Sequence, residues 1–165
     1  VIFSASLSAR ASELIDLCRC KTLLIAAAES CTGGLISGLL TSIPGSSDVF
    51  DSGFVTYSNR AKTRLLGVPA ELISTHGAVS GEVALAMAEG ALANSAASIS
   101  VAVTGVAGPG GGTVSKPIGL VHLAAVRRNM APITRSLSLG DIGRNEVRMQ
   151  TVEEAVAMIY ELAGP

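Results

Sequence analysis

The sequence predicts a three-layer α/β/α sandwich built on a mixed, mostly parallel five-stranded sheet. Three observations lead there. Five short apolar or β-branched runs alternate with segments of helical periodicity. Two of those runs end directly in glycine-rich turns, where open α/β sheets hold their ligands. The last two runs lie close enough in sequence to pair antiparallel, which makes the sheet mixed.

The elements follow in order. Leu7 to Leu17 carries apolar residues at Leu7, Leu14 and Leu17 and reads as a first helix. The run Leu23 to Ala28 is the first strand. It opens through Glu29-Ser30-Cys31-Thr32-Gly33-Gly34 into a second helix, from Thr32 to about Thr41, with Ser30 near the N-cap. Unpaired N–H groups and the helix dipole favour an anion or a developing oxyanion at such a turn. Pro44-Gly45-Ser46-Ser47 is a turn, followed by a short helical stretch around Asp48 to Phe50. Gly53 to Tyr57 is the second strand. Asn59 caps the next helix, which carries Lys62 and ends at Gly67. Val83, Ala84, Met87 and Ala91 give a further helix one apolar face, and Ile99 to Val103 reads as a central strand. Thr104 to Thr113 is a glycine-rich loop. Strands at Gly119 to Val126 and Ile133 to Leu137 are joined by a turn near Asn129, and Arg144 to Leu162 closes the fold as a long amphipathic helix.

Composition narrows the function. A chain of 165 residues supports one domain, 1–165, with a real core. Twelve Lys plus Arg against 13 Asp plus Glu leave a net charge of −1, without the basic footprint that sequence-independent nucleic-acid binding needs. Aromatic residues make up only 3% and Trp is absent, so the core is aliphatic and base-stacking platforms are scarce. Cys18, Cys20 and Cys31 form no C-x-x-C pair and leave an odd thiol, which fits a reducing compartment. No apolar run reaches the roughly 18 residues of a membrane span, and Val1 to Arg10 is too polar for a signal peptide. A soluble cytoplasmic protein acting on a small molecule is expected, with no nucleic-acid or membrane partner and with homo-oligomerisation left open.

The loop Gly105 to Gly112 fits neither G-x-G-x-x-G nor a P-loop, and His76 and His122 stand in no metal-ligand spacing. What remains is a set of hydroxyls and one amine. Ser47, Tyr57 and Lys62 fall in one turn–strand–helix unit. A desolvated lysine of lowered pKa can take a serine's proton, and a tyrosine can relay it or orient the amine. A solvated surface lysine is the plain alternative. The glycine loop offers backbone N–H groups to an anion, Thr104 adds a hydroxyl, and Lys116 or Arg144 adds charge for a phosphate. A loop without any ligand is equally compatible with those glycines.

Together Ala28 to Gly34, Gly45-Ser46-Ser47, Gly53 to Asn59 with Ala61-Lys62, His76 to Ser80, and Thr104 to Pro109 through Gly111-Gly112-Thr113 and Lys116-Pro117 resemble the CinA C-terminal domain family. The likeness spans Leu23 to Leu162. It implies a nicotinamide mononucleotide deamidase that uses no metal or organic cofactor and serves pyridine nucleotide recycling, in a stand-alone form. Ser47 is the expected nucleophile with Lys62 as base and Tyr57 beside it. Ser30 is the alternative nucleophile, otherwise a capping and substrate-contacting residue. Thr32, Gly33, Ser46, Thr104, Gly105, Gly108 and Arg144 are the candidate substrate-binding positions. At Gly140 to Arg144 the chain departs from the family, which more often has arginine directly after Gly-Asp, so the binding arginine is either Arg144 or Arg148. Two other functions stay open: an amidase using Cys31 with His76 or His122 as base, and a pyridine-nucleotide-binding module without turnover.

Overall fold

Alternating side chains along two buried strands, β1 (Ile25–Glu29) and β3 (Ile99–Gly105), feed two separate apolar cores. The computed structural model describes residues 2–164; Val1 and Pro165, which the single-domain expectation includes, lie outside the described residues. Ile25, Ala27, Val101 and Val103 face one layer, formed by α1 (Ala5–Cys20), α2 (Leu35–Thr41) and α6 (Arg144–Ala163). Ala26, Ala28 and Ala102 face the other, formed by α3 (Asn59–Leu66), α4 (Ala70–His76) and α5 (Gly81–Ala93). Small residues draw this second layer in. A Cβ at Gly90 of α5 would overlap the Leu66 carbonyl of α3, so glycine is what lets the two helices meet.

With β2 (Phe50–Val55), β4 (Leu120–Arg127) and β5 (Ile133–Ser138), the sheet order is β2-β1-β3-β4-β5. β1 runs parallel to β2 and β3, whereas β4 is antiparallel to both β3 and β5. Four strands thus share one direction, but the pairings divide evenly between parallel and antiparallel. The expected α/β/α sandwich with a mixed sheet is present, and "mostly parallel" describes strand direction rather than pairing.

Some boundaries differ from the sequence expectation for local reasons. Gly33 and Gly34, at φ of 60° and 100°, hold the turn after β1, so α2 starts at Leu35 rather than Thr32. β2 begins at Phe50, opposite Ile25, and ends before Thr56 and Tyr57; the short helical turn before it is Ser46–Asp48. α4, seven residues after Pro69, is too short for periodicity to reveal. Among the described residues no helix is long and apolar enough to cross a membrane.

Because β1, β2 and β3 point the same way, the segments leaving all three meet at one edge of the sheet: Ser30 onward, Thr56 to Lys62, and the glycine loop after Gly105. Ser46 and Ser47 precede β2 and lie at the opposite edge.

Candidate active site

Glu29 ends β1 and is completely buried. Its Oε2 accepts from Thr32 Oγ1 at 2.7 Å and from the Gly34 and Ile36 amides at 3.0 Å; its Oε1 accepts from the Ser37 amide and Oγ, both at 2.8 Å. This side chain, not that of Ser30, satisfies the open N–H groups of α2, whose N-cap Gly34 has no side chain to offer. The expected capping role of Ser30 is thereby corrected. Strand alternation turns Ser30 away from Glu29, toward the α3 layer.

The chain leaving β2 is tied to the end of β1, since the Thr56 amide donates to the Glu29 carbonyl at 2.8 Å. Ser58, rather than Asn59, then caps α3: its Oγ accepts from the Ala61 amide at 3.1 Å. One turn on, Lys62 points inward and is only 1% exposed. Its Nζ lies 3.1 Å from Ser30 Oγ and donates to the Thr56 carbonyl at 2.8 Å. Burial pushes the Lys62 pKa below its ordinary value, opposed only by the Cys31 thiol. No carboxylate pairs with this amine among the described residues. The plain reading of Lys62 as a solvated lysine does not hold, and the arrangement favours a neutral amine against a serine hydroxyl.

Both groups line a cavity of about 300 Å³ that also takes in Cys31, Tyr57, Asn59, Ala78, Val79, Thr104 to Gly108, Gly110, Gly111 and Arg144. Arg144 spans two of these segments, donating to the Gly108 carbonyl at 2.9 Å and to Tyr57 Oη at 3.0 Å. Thr104 Oγ1 donates to the Ala78 carbonyl at 2.8 Å, so it fixes the wall. None of the lining residues is acidic. With Arg144 present, the cavity suits a small anionic ligand.

Ser30, Lys62, Tyr57, Thr104, Gly105, Gly108 and Arg144 are therefore brought together. Ser47 is not. It is exposed on the turn that enters β2, a strand length away from Lys62, because parallel pairing with β1 sends the two ends of β2 to opposite edges. Ser46 is buried at that same far edge and is also outside the cavity. Thr32 and Gly33 stabilise the β1–α2 turn without lining the cavity: the Thr32 hydroxyl goes to Glu29, and Gly33 donates to the Ser30 carbonyl at 3.0 Å. Lys116 reaches the His76 carbonyl, and Arg148 donates to the Thr32 carbonyl at 2.9 Å, so of the two candidate arginines Arg144 lines the cavity.

The thiol alternative fares poorly. Burial pushes Cys31 up to about 11, and neither histidine lines the cavity. His122 Nδ1 meets Ser136 Oγ at 2.8 Å, and His76 Nδ1 lies 3.5 Å from Glu82. Sequence reasoning missed Glu29 as an individual residue and took Asn59 only as a helix cap, although both sit inside motifs it singled out. An acidic residue directly before a glycine-rich helix start was the available signal for Glu29.

Comparison with known proteins agrees with this fold. The CinA C-terminal domain model matches residues 7–163. A putative competence-damage inducible protein of Caldicellulosiruptor bescii is 53% identical over 116 residues, covering 70% of this chain and 28% of that protein. A CinA-like protein of Anaeromyxobacter sp. is 49% identical over 135 residues, 82% of this chain and 33% of its own length. The chain thus spans about a third or less of these curated relatives. Among solved structures, the competence/damage inducible protein CihA from Agrobacterium tumefaciens superposes with a TM-score of 0.97 at 50% identity, covering 98% of each chain. A CinA superfamily protein from Escherichia coli gives 0.90 at 29% identity, over 97% of this chain and 93% of that one.

Proposed function

This chain belongs to the CinA C-terminal domain family, and from that premise and the Ser30–Lys62 contact we propose an amidohydrolase that converts nicotinamide mononucleotide and water to nicotinate mononucleotide and ammonia. The observation that carries the reading is a buried lysine amine 3.1 Å from a serine hydroxyl, in a cavity without acidic groups. Ser30, not Ser47, is the nucleophile in this reading.

Neutral Lys62 takes the Ser30 proton as Oγ bonds to the carboxamide carbon. The Thr56 carbonyl holds one Nζ–H, which aims the lone pair at Ser30. The tetrahedral oxyanion is stabilised by backbone amides of the turn that begins at Ser30. Lys62 then returns its proton to the departing nitrogen, releasing ammonia and leaving an ester on Ser30. Water, deprotonated by the same amine, cleaves that ester. Arg144 and the glycine loop hold the 5′-phosphate, and Tyr57, which accepts from Arg144, lies beside that end of the cavity.

The test is ammonia release from the purified domain with nicotinamide mononucleotide, its nucleoside and free nicotinamide. The mononucleotide should react far more efficiently than the other two. Equal rates for all three would remove the phosphate site, and no ammonia from any of them would remove the amidase.

A further inference from the structure

Arg148 is a half-buried cation that no part of the proposed chemistry uses. It lies one helical turn beyond Arg144 on α6 but does not reach the cavity. Its guanidinium donates to the Thr32 carbonyl at 2.9 Å, and its Nε is buried with no hydrogen-bond partner. No acidic side chain pairs with it among the described residues. A half-buried guanidinium with no counter-charge and an unpartnered, buried Nε is costly to keep, and here its one firm bond goes to the turn that follows Ser30.

The peptide groups of that turn form a relay. The Thr32 carbonyl shares its peptide with the Gly33 N–H, which donates to the Ser30 carbonyl at 3.0 Å. The Ser30 carbonyl in turn shares its peptide with the Cys31 N–H. That amide donates to no other residue among the described ones, its own Sγ being the one acceptor beside it, and Cys31 lines the cavity. Each hydrogen bond in such a chain polarises the next peptide and makes its N–H a stronger donor. The amide after a nucleophilic serine is also where acyl-transfer sites on α/β folds hold the oxyanion. Gly33 keeps the path short: with φ at 60° it brings its Cα side close to Arg148, and a Cβ there would sit 3.4 Å from Nη2.

We infer that Arg148 is a positioning residue that acts through the Thr32–Gly33 and Ser30–Cys31 peptides to orient and polarise the Cys31 amide as an oxyanion donor. The inference rests on the amidase reading, with Ser30 as nucleophile. Arg148 touches no substrate atom, so its loss belongs in the chemical step rather than in binding.

The decisive experiment compares Arg148→Met and Arg148→Lys with the unaltered protein in two measurements: steady-state ammonia release from nicotinamide mononucleotide, and binding of pyridine-3-boronic acid. In the second, Ser30 Oγ adds to boron, no group leaves, and the serine proton passes to Lys62; the tetrahedral anion that results mimics the intermediate. Losing an oxyanion donor outright costs about 10²- to 10³-fold, so losing only its polarisation and alignment should cost about tenfold. Arg148→Met should lower kcat about tenfold with KM within about twofold, and weaken the boronate by a similar factor. Arg148→Lys, which keeps the charge with a shorter reach, should recover part of both losses. A raised KM with unchanged kcat, or an unchanged boronate affinity, overturns the inference. If Arg148→Met does not fold, the same kcat and boronate pattern in Arg148→Lys decides. A wild-type domain that releases no ammonia and takes no boronate would remove the amidase reading and this inference with it. An active wild type whose two variants match it would remove the inference alone.

Discussion

Two glycine-and-serine turns sit at opposite ends of the β1–β2 pair, and only one of them faces the cavity. Gly45-Ser46-Ser47-Asp48 leads into β2, whereas Ser30-Cys31-Thr32-Gly33-Gly34 leads out of β1. Parallel pairing from Ile25–Phe50 to Glu29–Val55 separates them by the length of a strand, roughly 17 to 20 Å. At the entry turn, Arg19 donates to the Gly45 carbonyl at 3.0 Å and its Nε approaches Asp48 at 3.5 Å, while the Ser46 amide donates to Ile43. That turn is joined to α1 and has no amine beside its serines. At the exit turn, Glu29 satisfies the helix amides, which leaves Ser30 to Lys62. The difference teaches that a serine in a glycine turn gains chemistry from the strand end it occupies, because only the exit ends of β1, β2 and β3 converge.

The largest effect should come from exchanging the two serines in the test. Ser30→Ala and Lys62→Ala should each reduce ammonia release by at least about 10²- to 10⁴-fold in folded protein, the scale of losing a nucleophile's activation or its base. Lys62→Arg should be equally inactive, since a guanidinium does not deprotonate in proteins. Ser47→Ala should stay within about twofold of the unaltered rate, as a surface substitution outside the cavity. Initial rates, with thermal unfolding to confirm folding, make the comparison. An active Ser30→Ala beside a dead Ser47→Ala would reverse it.

Glu29 offers the next effect. Glu29→Gln keeps the shape but points an NH₂ at a set of donors, leaving buried N–H or O–H groups unsatisfied at about 1–3 kcal/mol each. A loss of about 3 kcal/mol in denaturant unfolding is expected, together with reduced turnover because the turn that carries Ser30 is anchored there. A loss below about 0.5 kcal/mol would mean that α2 does not depend on this carboxyl group.

The pH dependence is smaller and its sign is fixed by Lys62. Burial holds this amine below its ordinary value, so the unfolded chain binds more protons than the folded one between the depressed value and 10.5. The Lys62 contribution to stability therefore rises with pH across that window and is lost as pH falls through the depressed folded value. Turnover should fall in the same direction, about tenfold per pH unit below that value, as the base becomes protonated. His122 is likewise held low, by burial and by Lys116, and titrates separately. The difference in unfolding profiles between the unaltered protein and Lys62→Met isolates the lysine. A difference flat in pH would show that Lys62 titrates alike in the folded and unfolded chain.

Much of this was legible in the sequence. Among the described residues, periodicity and turn residues marked all five strands and five of the six α-helices, and the motif around Glu29 to Gly34 marked the edge that holds the cavity. The choice between Ser30 and Ser47 was not legible, because nearness to Tyr57 and Lys62 in sequence carries no information about which end of β2 a residue occupies. Only the parallel register with β1 decides that. Capping was misread for a related reason. Ser30 and Ser58 are both followed by a helix, but Ser58 sits directly at the N-cap of α3, whereas the β1–α2 turn inserts Gly33 and Gly34 and passes the task to a carboxyl group one residue earlier.

The smallest effect should come from the entry turn itself. Arg19→Ala removes one bond to the Gly45 carbonyl and ion pairs with Asp16 at 2.7 Å and Asp48 at 3.5 Å, all on a side chain 38% exposed. Exposed pairs of this kind contribute about 0.2–1 kcal/mol and are screened by salt, so the variant should unfold within about 1 kcal/mol of the unaltered protein, with the gap narrowing as salt rises. Its ammonia release should not change, because the exit edge of the sheet is held by separate contacts: Thr56 on Glu29, Glu29 on α2, and Arg144 on Gly108. A change in kcat beyond about twofold from a substitution at this edge would mean that the two ends of β2 are energetically coupled, since independent distant sites ordinarily add. In that case the ten-residue span from Asp48 to Tyr57 would have to transmit it, and Asp48→Asn should reproduce the same change.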